Sequence, residues 1–202
     1  MPKVYAIDDI TPVVDPSAFV HPSAVLIGDV IVRARAYIGP CASLRGDFGR
    51  IVVEEGANIQ DTCMLHGFPG KDTVVGAEST IGHGAVLHGC VVGRGALIGM
   101  NCVVNDNAEV GEDAVVAALA FVKAEDRIPA RSLAVGIPAK VLRTLSAQEL
   151  SWKDDNMRLY QELAVRSSRM KLVDALTAVE PGRKRIDIPG SIPLSELKKK
   201  HG

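Results

Sequence analysis

Aliphatic residues recur at every sixth position over much of the chain. They form three runs, which are Val14, Val20, Leu26, Val32, Ile38 and Leu44; Val53, Ile59 and Leu65; and Val75, Ile81 and Leu87, continued after one five-residue step by Val92, Ile98, Val104, Val110, Val116 and Val122. A period of six matches neither an amphipathic helix nor an alternating strand. It is typical of a β-helix in which three short strands make each triangular coil. The pattern therefore predicts an all-β fold, a parallel β-helix shaped as a triangular prism.

Small residues keep the same phase as the aliphatic ones. Four positions after an aliphatic residue the chain repeatedly has Ala or Cys, as at Ala24, Ala57 and Cys63, which suits an inward position near a narrow corner. Chains with a hexapeptide repeat usually coil to the left, against the common crossover rule. The likeness to known hexapeptide-repeat chains therefore implies a left-handed parallel β-helix. The six-residue period alone does not determine the handedness.

The repeat is interrupted twice by insertions. Nine positions separate Leu44 from Val53, so about three residues are added around Asp47–Arg50. Ten positions separate Leu65 from Val75, so about four residues are added around Gly67–Asp72. Insertions in a solenoid emerge on its surface, and both segments are predicted as loops.

The chain divides into a β-helix domain (1–145), a C-terminal helix (146–178) and a flexible tail (179–202). Ser146 and Glu149 have the spacing of a capping box at a helix start. The pattern that follows predicts a helix over 147–177, packed on the outside of the prism.

Composition limits the classes of molecule that this protein is expected to bind. Hydrophobic residues make up 47% of the chain but aromatic residues only 4%, as a thin prism filled with aliphatic side chains requires. A net charge of −1 favours neither nucleic acid nor an anionic membrane as a partner. The apolar runs are too short to span a bilayer, so we expect a cytoplasmic protein. The four cysteines form no CxxC pair and are expected to be reduced and buried.

Two histidines are predicted to stack on one face of the prism. Counting strands by threes places Arg45, His66 and His88 on one face in successive coils, each directly after an aliphatic residue. Neighbouring strands are about 4.8 Å apart. Two imidazoles at this spacing can lean onto one zinc ion, whose bonds to nitrogen are about 2.0–2.1 Å long.

His83 occupies a different strand, near a corner. The extended chain between His83 and His88 spans up to roughly 16 Å, too far for both to share a metal within one chain. A neighbouring prism in a homotrimer could supply His83, which gives three equivalent sites between subunits. Three histidines leave a fourth position for water, as in catalytic zinc sites. The alternative is that these are ordinary surface or interface histidines.

Four further polar residues are candidates for the chemistry. Gln60 and Asn58 lie on the strand before His66, and a side-chain amide there could orient a zinc-bound water. Arg45 could hold a developing oxyanion or a carboxylate. The alternative for Arg45 and Asp47 is a structural ion pair across the subunit interface.

The segments 43–47, 58–61 and 83–88, together with His66, resemble the γ-class carbonic anhydrases. The resemblance implies a homotrimer with Zn²⁺ held by His66, His83 and His88 at each interface, with Fe²⁺ or Co²⁺ as alternatives. The segments 44–53, 66–69 and 180–185 are similar to the PaaY group of phenylacetate-degradation proteins, with the carnitine-operon CaiE group as a near relative.

Two departures from the carbonic anhydrase pattern affect the expected activity. Fast γ-class enzymes have a glutamate where this chain has Phe48, and an acidic loop where it has the short segment 68–71. Without a proton shuttle, CO₂ hydration is expected to be slow. The substrate is expected to be a small molecule or an acyl-CoA. The PaaY resemblance implies a thioesterase that removes CoA from ring-hydroxylated phenylacetyl-CoA. A slow carbonic anhydrase, a hexapeptide acyltransferase and a non-catalytic carnitine-pathway accessory protein remain alternatives. The acyltransferase alternative draws on the signature at 135–140.

Overall fold

The six-residue repeat folds into a parallel β-helix of about seven turns, in agreement with the prediction. The computed structural model describes residues 2–186 and 188. In chain order the strands are β1 (Lys3–Tyr5), β2 (Val13–Val14), β3 (Phe19–Val20), β4 (Val25–Val32), β5 (Tyr37–Ile38), β6 (Ser43–Val53), β7 (Asn58–Ile59), β8 (Met64–His66), β9 (Thr73–Val75), β10 (Thr80–Ile81), β11 (Val86–His88), β12 (Val91–Val92), β13 (Leu97–Ile98), β14 (Val103–Val104), β15 (Glu109–Val110), β16 (Val115–Val116), β17 (Phe121–Val122), β18 (Arg127–Ile128), β19 (Ser132–Val135) and β20 (Lys140–Thr144).

The strands form the three faces of the prism. The first, here called the histidine face, runs through β8, β11, β14 and β17, and the second runs through β9, β12, β15 and β18. The third, here called the helix face, contains β3, β5, β7, β10, β13, β16, β19 and β20. Strands β4 and β6 run across a corner and join the first two faces into one sheet. The antiparallel pair β19–β20 ends at Thr144, close to the predicted domain limit of 145.

The aliphatic repeat fills the interior. Leu44 pairs with Leu65, and Leu65 pairs with Leu87, so one aliphatic residue from each coil stacks on the next. These three side chains are completely buried, as are Ala24 and Ala57 in the small positions. Val14 and Val20 belong to the same repeat but are only partly buried, because they lie in the first coil at the end of the stack.

The two insertions behave differently. Residues 67–72 form a surface loop between β8 and β9, as predicted. The prediction of a loop at Asp47–Arg50 is wrong, because this segment lies within the eleven-residue strand β6. The register with β4 shifts there, from Gly28 opposite Gly46 to Val30 opposite Ile51. The added residues are therefore taken up as a bulge, which bends the strand around the corner.

Helix α1 (Ala147–Ser167) packs on the helix face. Its capping box is formed as predicted, since Ser146 Oγ accepts from the Glu149 backbone amide at 3.2 Å and Glu149 Oε2 accepts from the Ser146 amide at 3.1 Å. The buried Lys153 donates to Asp113 of the prism at 3.0 Å and anchors the helix to it.

The predicted helix end at 177 is wrong by ten residues. Residues 169–186 are exposed and irregular. A helix in water is stabilised mainly by packing of its apolar face. Residues 169–186 are exposed and do not pack against the prism in this way. Of the predicted tail (179–202), residues 187 and 189–202 lie outside the described part of the chain.

Candidate metal centre

His66 and His88 lie side by side on the histidine face, as the strand count predicted. The two residues are register partners in β8 and β11. His66 Nδ1 lies 3.1 Å from His88 Nε2. Two nitrogens bound tetrahedrally to one zinc ion at about 2.0–2.1 Å are themselves about 3.3 Å apart. The pair is therefore spaced for a shared metal with almost no movement.

Each of these imidazoles is held from behind by a carboxylate. His66 Nε2 lies 3.0 Å from Asp47 Oδ1, and His88 Nδ1 is in close contact with Asp106 Oδ1. An ionised carboxylate can only accept hydrogen bonds, so the outer nitrogen of each neutral ring carries the proton. The two nitrogens that face each other then both present lone pairs. In this tautomer the two facing nitrogens are able to bind one metal ion together.

Arg45 also belongs to this group. Its Nη1 lies 3.3 Å from Asp47 Oδ2, while the other Asp47 oxygen faces His66. The ion pair that we considered across an interface therefore exists within one chain. The Arg45 side chain remains 44% exposed, which leaves donors free beside the histidines.

His83 lies apart from the pair, in the turn that follows β10. Its Nδ1 is 2.6 Å from Asp61 Oδ2, so this imidazole too is oriented by a carboxylate. The buried Gln60 accepts from the His83 backbone amide at 3.2 Å and donates to Asn58 Oδ1 at 3.3 Å. Asn58 in turn donates to Thr80 Oγ1 at 2.9 Å.

The candidate residues thus form two clusters. One is the histidine pair with Arg45, Asp47 and Asp106; the other contains His83 with Asn58, Gln60 and Asp61. Within residues 2–186 and 188, no group of three or more His, Cys, Asp or Glu side chains of one chain is arranged to hold a metal ion. The shared site, in which another copy supplies the third histidine, therefore stays a prediction.

Helix α1 reaches the second cluster. Tyr160 packs edge-on against Tyr37, with ring centroids 5.7 Å apart. Burial raises the pKa of Tyr160 to about 12, and the charge of nearby Asp61 adds to the shift. The Tyr160 hydroxyl therefore stays protonated at neutral pH, and the helix lies beside the carboxylate that orients His83.

Sequence reasoning missed Asp106 and Asp61 as partners of the histidines. A signal for Asp106 was present, because Val104 ends the next strand of the histidine face and Asp106 follows two positions later. Asp61 directly follows Gln60, but its contact with His83 depends on how the corner turns. Neither partner follows from the period alone.

Comparison with known proteins places this chain in a family. A family model for bacterial transferase hexapeptides (six repeats) matches residues 89–124. The carnitine operon protein CaiE of Salmonella newport is 56% identical over 183 residues, which cover 90% of this chain and 92% of CaiE. The chain belongs to the CaiE family of hexapeptide-repeat proteins. The predicted left-handed β-helix agrees with this family.

Two solved structures of other bacterial proteins share the fold. One is a Bacillus cereus protein that is named as an acetyltransferase without an established activity. It is 32% identical, with a TM-score of 0.81, and the match covers 82% of this chain and 96% of that one. A hexapeptide transferase family protein from Anaplasma phagocytophilum is 34% identical, with a TM-score of 0.78, and the match covers 81% of this chain and 97% of that one. These likenesses favour the carnitine-operon and acyltransferase alternatives, whereas the PaaY and carbonic anhydrase assignments stay predictions.

The cysteines of this CaiE-family chain contribute no ligands to the clusters. Cys63, Cys90 and Cys102 are buried as expected, but Cys41 is exposed. Burial raises the pKa of the Cys63 thiol to about 11 and that of Cys90 to about 12. These thiols therefore stay protonated at neutral pH, and metals bind the thiolate form. No helix among the described residues is both long and apolar enough to cross a membrane.

Replacing Asp106 with asparagine is expected to weaken zinc binding by about 10- to 100-fold, because the carboxylate fixes the orientation and tautomer of the His88 ring. Competition with a chromogenic chelator at fixed pH measures the affinity. Asp126→Asn is the matched control, since Asp126 forms an ion pair with surface Lys123, at 3.6 Å, away from the histidines. Equal affinities for the two variants would contradict a supporting role for Asp106.

Proposed function

We propose that this CaiE-family protein is a zinc-dependent hydrolase of CoA thioesters, active as a homotrimer with one site at each subunit interface. The observation that carries the proposal is the His66–His88 pair, whose facing nitrogens lie 3.1 Å apart while a carboxylate holds each ring from the other side. An ordinary surface histidine in a salt bridge does not need a second imidazole opposite its other nitrogen. The CaiE relatives direct the choice of pathway towards carnitine rather than phenylacetate conversion.

The donor set fits zinc. His66, His88 and His83 each have one nitrogen against a carboxylate, which leaves the other as a neutral donor. Three imidazoles suit Zn²⁺, and Fe²⁺ or Co²⁺ would bind the same set. When bound, a zinc ion with three histidine ligands keeps a fourth position for water and lowers the pKa of that water to about 7.

The remaining residues have roles that follow from their positions. Gln60 is held by hydrogen bonds to Asn58 and to the His83 amide. In the homotrimer the subunit that supplies His83 would therefore also supply Gln60, whose side-chain amide would lie near the attacking water. Arg45 is half exposed next to the histidine pair and could stabilise the negative charge that develops on the thioester oxygen. Hydrolysis exchanges the C–S bond for a C–O bond from water, and CoA leaves as its thiol.

Acyl transfer without a metal is the second candidate, favoured by the transferase names of the two structural neighbours. In that case one carboxylate-backed imidazole, His66 with Asp47 or His88 with Asp106, would take a proton from an acceptor amine or hydroxyl. The acyl group would then pass from CoA to that acceptor. This candidate leaves the second histidine of the pair without a role.

Metal content and solution mass, measured on the same purified sample, test the proposal. We expect about one zinc per chain in a trimer, and hydrolysis of acyl-CoA that is lost on chelation and restored by zinc. A metal-free trimer that transfers acyl groups to an amine would support acyl transfer instead. Rapid CO₂ hydration without thioester cleavage would support the carbonic anhydrase alternative, and a monomer would exclude a shared site.

A further inference from the structure

A chain of buried hydrogen bonds holds the backbone of His83. The His83 amide donates to Gln60 Oε1 at 3.2 Å, and Gln60 donates to Asn58 Oδ1 at 3.3 Å. Asn58 in turn donates to Thr80 Oγ1 at 2.9 Å. Asn and Gln side chains usually lie at the surface, but here Asn58, Gln60 and Thr80 are all buried. This series of hydrogen bonds, here called the amide chain, is therefore covered by other parts of the protein.

Two tyrosines provide the cover on the helix face. Ile38 points into the core, so Tyr37 before it in β5 points outwards. Tyr37 is the register partner of Asn58 in β7, so their side chains lie next to each other on this face. Tyr160 of α1 packs edge-on on Tyr37, with ring centroids 5.7 Å apart. Helix α1 contacts both β5 and β7, and it therefore lies over the start of the amide chain.

Contacts on both sides of Tyr160 fix the helix in this position. Lys153, two helical turns earlier, is buried against the prism through its ion pair with Asp113. Gln161, next to Tyr160, donates to the Gly56 carbonyl at 3.4 Å. The φ of Gly56 is +68°, and a Cβ atom there would lie 2.5 Å from Gln161 Nε2. The helix thus lies directly against the backbone of the prism corner.

The strand that carries Tyr37 also packs against the carboxylate segment that orients the His83 ring. A Cβ atom at Gly39, two residues after Tyr37, would lie 3.0 Å from the Asp61 backbone nitrogen. Asp61 Oδ2 lies 2.6 Å from His83 Nδ1. Both the backbone and the ring of His83 are therefore held by residues that β5 and α1 support, and all of these contacts lie within one chain.

We propose that Tyr160 is a positioning residue for His83, and that helix α1 keeps water away from the hydrogen bonds that fix this histidine. A hydrogen bond in a low-dielectric interior is electrostatically stronger than one in water. Loss of the Tyr160 ring would open the amide chain to water and loosen the His83 turn. His66 and His88 lie on another face and would stay paired. The consequence for metal binding rests on the proposed function, whereas the support of His83 does not.

Hydrogen exchange around His83 tests this support without relying on a bound metal. In full-length Tyr160→Ala we expect the segment that contains His83 to exchange faster by at least about tenfold, because water reaches the Gln60 acceptor. The segment that contains His66 should be unchanged. Mass spectrometry of peptides measures both rates. Tyr160→Phe keeps the ring and should match the wild type.

Met157→Ala is the matched control for this experiment. Met157 is a buried residue of the same helix, but it lines the corner beside Glu78 and Asp113. Its loss should weaken helix packing without opening the amide chain. Unchanged exchange at His83 in Tyr160→Ala, or an equal increase in Met157→Ala, would overturn the proposal.

Zinc affinity then shows whether the support of His83 acts on the metal. Tyr160→Ala is expected to bind zinc about tenfold more weakly, the effect typical of residues that orient a metal ligand. Competition with a chromogenic chelator measures the affinity, and Tyr160→Phe should match the wild type. Faster exchange at His83 with unchanged zinc affinity would contradict a positioning role. If the wild type binds no zinc, the proposed function fails, and hydrogen exchange still decides whether Tyr160 holds His83.

Discussion

His88→Ala is expected to lose zinc and thioesterase activity while remaining a folded trimer. His88 Nε2 faces His66 Nδ1 at 3.1 Å, so the change removes one of two nitrogens that would share the ion. Zinc contributes several kcal/mol to stabilising the transition state, so kcat/KM should fall at least about a thousandfold. Metal analysis, thioester hydrolysis and solution mass provide the three measurements.

His21→Ala is the matched control for this variant. His21 Nδ1 lies 2.7 Å from Ser23 Oγ, in the turn after β3, which belongs to the helix face and not to the histidine face. It should keep both metal and activity. If His88→Ala also kept both, the assignment of the site would be wrong. Retained metal with lost acyl transfer would instead make His88 a general base.

Mixing two inactive variants should restore activity. In the proposed homotrimer each site takes His66 and His88 from one subunit and His83 from the next. A His83→Ala subunit still provides the pair, and a His88→Ala subunit still provides His83. After the two are unfolded and refolded together in equal amounts, random assembly should give about a quarter of the wild-type sites. Recovered zinc and activity measure the fraction.

The control mixture combines His66→Ala with His88→Ala. Every subunit then lacks one member of the pair, so no interface can hold a complete site. Recovery in this mixture, or none in the first, would contradict sharing between subunits. A wild-type sample taken through the same refolding sets the upper limit.

The stacking of the histidines could be predicted because a solenoid repeats one geometry from coil to coil. Each coil repeats the same rise and rotation, so counting from Leu44 to Leu65 and Leu87 was enough to stack His66 under His88. The count did not predict how the carboxylates next to the two histidines are oriented. The period also placed His83 on another strand, and its separation from the pair within one chain agrees with that.

The helix shows the limit of local signals. Its start at Ala147 was predictable, because a capping box involves groups only three residues apart. Its end was not, because the residues after Ser167 are no worse as helix formers than many inside it. Contact with the prism decides where the helix stops, and that contact is absent from the linear pattern.

The sequence by itself determined the β-helix, its buried aliphatic interior and the stacking of His66 on His88, since all three depend on a strict short period. Only the tertiary structure decided which carboxylates hold the rings and that the Asp47–Arg50 insertion bends β6 around a corner. It also decided that Phe48 lies against His66 and Phe68 against His88. These features depend on how irregular segments pack against one another, and packing between insertions follows from shape in three dimensions rather than from periodicity.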